Sequence, residues 1–88
     1  MNIHNKDINL VQLQEIIKVK PFGLEIMSIL GPIKIYQENY FDRLLYTEYE
    51  YEVVFGLTGT PIQRYVYRFH EDIRGMKIIN VNLLEIYH

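Results

Sequence analysis

The stretch LLYTEYEYEVVFGLTGTPIQRYVYRFH, Leu44 to His70, decides the fold. Its first half alternates, with Leu45, Tyr49, Tyr51, Val53 and Phe55 at one parity and Glu48, Glu50 and Glu52 at the other. Its second half does the same, with Tyr65, Tyr67 and Phe69 against Arg64, Arg68 and His70. A repeat of two is the period of a strand, which sends successive side chains to opposite faces. Antiparallel pairing with Val53 opposite Tyr65 sets Tyr51 opposite Tyr67 and Tyr49 opposite Phe69. On the other face Glu50 meets Arg68 and Glu48 meets His70, so apolar faces apolar and acid faces base. A slip of one residue would bury Arg64 beside Val53. The register requires an odd connection of three or five residues around Gly59, with Phe55 facing Gln63.

Inside that connection, Leu57-Thr58-Gly59-Thr60-Pro61 resembles motif III of superfamily 2 helicases and of the motor subunits of type I restriction enzymes. The resemblance implies a nucleotide-driven motor on nucleic acid. Such a motor also needs a Gly-rich phosphate loop ending in Gly-Lys-Ser/Thr and a paired acidic box for magnesium. The chain carries neither. The string reads instead as a hairpin tip, with Gly59 supplying a positive φ and Pro61 stiffening the exit.

Working outward, Asp7 is placed to cap a helix over about 8–19, with Leu10, Leu13, Ile16 and Ile17 on one face. Lys20-Pro21 ends it and Gly23 completes the break. Strands are predicted over about 24–30, 33–37, 44–56, 62–70 and 77–87. Gly31-Pro32 marks a turn or an edge bend between the first two, and ENYFDR, residues 38–43, a polar loop with two aromatics. In the last strand Ile79, Val81 and Leu83 share one face, and Ile78, Leu84 and Ile86 join Asn80 and Asn82 on the other. The expected fold is α+β, one domain, with an N-terminal helix packed on an antiparallel meander sheet of four to five strands.

Composition excludes several functions. With 88 residues and no cysteine, the chain has no disulfide, no thiolate nucleophile and no zinc ribbon. No window reaches the ~18 apolar residues of a membrane helix, and the N-terminus lacks the apolar core of a signal peptide. A cytoplasmic location is expected. The net charge of −2 is spread without a basic stripe, so nucleic acid is not the expected partner. Ser28 is the single serine and sits in no nucleophile elbow. Glu48, Glu50 and Glu52 line one face, and His70 adjoins Glu71 and Asp72, but arginines lie across the pair. No catalytic residue, metal or cofactor is expected.

The eight tyrosines and four phenylalanines are the distinctive content. Tyrosine suits both small cores and interfaces. A helix of three turns is ~18 Å long and cannot cover strands of up to ~30 Å, so apolar surface remains to be covered by a partner or a second copy. The expected function is that of a small non-enzymatic binding protein, a dimer, contacting a partner protein through Tyr36, Tyr40, Phe41 and Tyr46. In size and composition the chain is similar to phage-encoded inhibitors of host or defence enzymes, anti-CRISPR proteins among them. The alternative is a nucleotide or single-stranded nucleic-acid binder that stacks bases on the tyrosine face.

Overall fold

The computed structural model describes residues 10–18 and 20–88. Asp7, Ile8 and Val19 of the predicted helix, and His4, lie outside the described residues. Helix α1 spans Leu10–Ile16, seven residues. Four strands follow: β1 Glu25–Tyr40, β2 Arg43–Leu57, β3 Thr60–Asp72 and β4 Gly75–Ile86. They form one antiparallel sheet in the order β1-β2-β3-β4. The molecule is therefore mostly sheet. A helix of two turns takes the place of the expected packed helix, although Leu13 and Ile17 are buried in one cluster with the sheet aromatics.

The β2–β3 register is the expected one: Val53 pairs with Tyr65, Tyr51 with Tyr67, Tyr49 with Phe69, Glu50 with Arg68, Glu48 with His70 and Phe55 with Gln63. The expected odd loop is replaced by another device. Leu57 pairs with Thr60 across a two-residue turn, Thr58-Gly59, whose φ values of 46° and 82° are both left-handed. That is a type I′ geometry, matched to strand twist. Gly56 then pairs with Pro61, which leaves Ile62 as an extra residue on β3. The even turn and the one-residue bulge together restore the parity that the alternating faces demand.

Bulges also correct the readings of β1 and β4. The two strands predicted over 24–30 and 33–37 are one continuous strand, bent at the edge of the sheet. Leu30 pairs with Glu52 and Lys34 with Glu50, so Gly31-Pro32-Ile33 bulge against Tyr51. The Gly31-Pro32 peptide is cis, and Gly31 has φ 145°. A Cβ at Gly31 would lie 2.9 Å from the Tyr51 ring, so only glycine lets the bent edge close over it. The expected loop 38–43 is shorter: β1 runs to Tyr40 and only Phe41-Asp42 turn. In β4, irregularities beside Ile79 and Leu84 flip the parity twice. Ile78 consequently faces Phe69, and Ile86 faces Gln63, on the core side rather than beside Asn80 and Asn82.

The core is an aromatic ladder. Tyr51, Val53, Phe55, Tyr67 and Phe69 are fully buried, with Tyr49 nearly so. Burial of each such side chain contributes about 1.5–3 kcal/mol, and edge-to-face ring pairs such as Tyr51–Phe69, centroids 5.8 Å apart, add to it. The opposite face is a charge ladder. Arg64 reaches Glu52 on β2 at 2.7 Å and Glu85 on β4 at 3.1 Å, and Arg68 reaches Glu50 at 2.6 Å. Pairs this exposed contribute about 0–1 kcal/mol each. Their larger role is in register, because a one-residue slip would move these charges into the core.

Candidate functional site

The meander brings the β1–β2 and β3–β4 turns to the same end of the sheet. Tyr40 pairs with Arg43, and Phe41 and Asp42 turn between them with φ 51° and 61°. Two left-handed residues in sequence make a type I′ turn, for which Asn-Gly is the favoured pair. A bulky side chain there meets the following carbonyl, at a cost of roughly 1–2 kcal/mol. Phe41 nevertheless occupies the position and is 81% exposed, its ring 4.3 Å from that of Tyr40.

The neighbouring tip repeats the theme. Ile73 is fully exposed, in a turn braced by the Arg74 N–H, which donates to Asp72 Oδ1 at 2.8 Å. That N–H holds the Asp72 carboxyl below the usual carboxylate range. Between the tips, Leu44 and Leu45 are half-exposed and line a shallow depression with Arg43 and Ile73. A bulge at Leu45, between the Glu38–Tyr46 and Asn39–Leu44 pairs, interrupts the alternation at this end.

The four residues expected at a partner surface thus fall into two pairs. Tyr40 and Phe41 form the tip. Tyr36 and Tyr46 lie on the charged face, centroids 6.3 Å apart, with Tyr46 also 4.7 Å from the His70 ring. Tyr36 donates to the Glu38 carboxylate, which raises its phenol above the ordinary range. Ile73, Leu44 and Leu45 were not among the expected contacts. Ile73 carried a signal all the same: it is an apolar residue inside the turn-forming EDIRG segment, as Phe41 is inside ENYFDR.

The acid–histidine cluster has a different character. His70 Nδ1 lies 3.0 Å from Glu48 and Nε2 lies 3.3 Å from Asp72, so both ring nitrogens face carboxylates of the chain itself. Glu50 is held by Arg68. His70 is thus engaged with Glu48 and Asp72, and Glu50 with Arg68. Among the described residues no three His, Asp or Glu side chains converge as a metal site requires. The tyrosine ladder, with Tyr51 and Tyr67 at 1% and 0% exposure, is core. Those two rings are therefore closed to stacking with a base.

No helix among the described residues is long and apolar enough to cross a membrane. Compared with protein-family models, with curated proteins and with solved structures, the chain matches none.

Proposed function

We propose that this chain is a non-enzymatic binding protein that acts in the cytoplasm by occupying a partner protein's surface with the Tyr40–Phe41 end of its sheet. One observation carries the reading. An exposed phenylalanine sits in a left-handed turn position where asparagine would relieve both the backbone strain and the exposure. Thr58 at the opposite tip is left-handed too, but only at Phe41 does the strain coincide with a large exposed aromatic ring, and strained backbone at such positions clusters at recognition sites. The surroundings fit an anchor. Tyr40 packs on the ring, and Ile73, Leu44 and Leu45 extend the apolar surface. Aromatic anchors at interfaces commonly carry 2 kcal/mol or more each. An inhibitor that blocks an enzyme by covering it would use such a surface, and would need no catalytic group of its own.

Replacing Phe41 by Asn separates the two roles of the position. The variant should fold more stably, by about 1 kcal/mol in urea unfolding, because the turn gains its preferred residue. It should also lose partner capture, with affinity falling at least ~30-fold, which corresponds to 2 kcal/mol. Immobilised wild type and variant, compared for what each retains from lysate of the source cells, provide the measurement. A variant that retains the same protein equally well, or that is less stable than wild type, would remove the basis for the reading.

A further inference from the structure

The sheet has two edges of unlike character. β1 carries extra residues at two places, Met27 and Gly31-Pro32-Ile33, and its pairing shifts a third time opposite the Leu45 bulge of β2. Pro32 has no N–H to offer, and bulges twist the row of backbone groups away from a docking strand. β4 carries no proline over its 12 residues, and its two single-residue bulges, at Ile79 and Leu84, leave Asn80 to Leu83 between them in unbroken register with β3. Among the described residues its outer side is unpaired, and Ile79, Leu83, Leu84 and Ile86 are 43–48% exposed along it. An open strand with apolar side chains is a template for another strand.

The sequence of β4 indicates which strand. Read outward from Val81, Asn80 mirrors Asn82, Ile79 mirrors Leu83, Ile78 mirrors Leu84, Lys77 mirrors Glu85 and Met76 mirrors Ile86. The mirror preserves faces as well as residue types at Val81 and in the Asn80/Asn82, Lys77/Glu85 and Met76/Ile86 pairs, while in the other two pairs one member, Ile79 or Leu84, is the extra residue of a bulge. Lys77, Asn80, Asn82 and Glu85 lie opposite His70, Arg68, Val66 and Arg64 on the charged face. Met76, Val81 and Ile86 lie opposite Glu71, Tyr67 and Gln63 on the core face. Lys77 has no ion-pair partner among the described residues, while Glu85 meets only Arg64 and leaves nearly half its side chain exposed.

We infer that β4 pairs antiparallel with β4 of a second copy, about a two-fold axis through Val81, to make one continuous eight-stranded sheet. In that register Lys77 faces Glu85 of the second copy twice over, Asn80 faces Asn82, and Met76 faces Ile86. Opposite charges directly across an antiparallel pair are favourable, and like charges there are not. The arrangement is isologous and therefore closed. The interrupted β1 edge keeps further copies from adding. Both β1–β2 tips stay free, so the pairing stands independently of what Phe41 binds.

Sedimentation equilibrium on the full chain tests this. Wild type should show twice its 10.6 kDa mass. Lys77→Glu, at an exposed position, should raise the dimer dissociation constant at least tenfold with an unchanged circular dichroism spectrum. The exchanged variant Lys77→Glu with Glu85→Lys should restore the dimer. Because the chain has no other thiol, Val81→Cys should form a disulfide dimer on oxidation. Wild type monomeric at every concentration overturns the pairing, as does a dimer indifferent to Lys77→Glu, an exchange that restores nothing, or a Val81→Cys chain that stays unlinked.

Discussion

Gly56→Ala should cost about 3 kcal/mol or more in urea unfolding, in the range of severe overpacking. A Cβ at Gly56 would stand 2.1 Å from the Thr60 carbonyl oxygen and 2.3 Å from Met27 Sδ. The sulfur can move, since Met27 is flexible and 40% exposed. The carbonyl cannot, because Thr60 is fixed by the two-residue turn and the Ile62 bulge. The methyl group must therefore open the bulge that sets the parity of the tyrosine ladder. Pairing Gly56→Ala with Met27→Ala separates the two contacts: relief of the sulfur alone should recover little of the loss. A Gly56→Ala chain as stable as wild type would mean that the bulge is not held as described.

The second large effect is alkaline unfolding. Burial pushes the Tyr67 phenol up to about 12 and raises Tyr51 as well. In the unfolded chain both ionise near the ordinary value of ~10. Between those values the unfolded chain has lost protons that the folded chain retains, so stability falls as pH rises. Each phenol contributes a slope of about 1.4 kcal/mol per pH unit. Two such groups would exhaust a domain holding ~5 kcal/mol within about two units above pH 10. The expected record is a tyrosinate absorbance step coincident with loss of the strand circular dichroism signal. Tyr51→Phe should move that midpoint to higher pH. At neutral pH it should cost nothing or add about 1 kcal/mol, because the buried Tyr51 hydroxyl has no hydrogen-bond partner among the described residues. Smooth titration of all eight tyrosines with the sheet intact would contradict the burial of these two.

Where side chains alternate without interruption, the sequence was sufficient. β2 and β3 carry acid, base and aromatic residues at strict parity, and six pairings from Glu48–His70 to Phe55–Gln63 follow from that alone. Where a bulge intervenes, parity stops being a guide. Ile78 and Ile86 were assigned to the wrong face because nothing in MKIINVNLLEI announces extra residues beside Ile79 and Leu84. Gly31-Pro32 announced either a turn or an edge bend between two strands, and of the two the structure takes the bend, so that one strand runs through it. The helix was overextended because apolar spacing continues past Ile16, while the described helix stops there. At the candidate site, Tyr40 and Phe41 were legible as aromatics in a turn. Ile73 was not, since its proximity to Leu44 and Leu45 depends on which turns the meander places at the same end.

The bulged edge also governs how this chain tolerates change. Along β2 the sheltered positions recur every second residue, at Thr47, Tyr49, Tyr51, Val53 and Phe55. Along β1 they recur every third, at Ile26, Ile29, Pro32 and Ile35. Two strands of one sheet, hydrogen-bonded to each other, therefore filter substitutions with different rhythms. A saturation map of β1 should resemble that of neither an ordinary strand nor a helix, and descendants of this sequence should drift in threes along one strand and in twos along its neighbour.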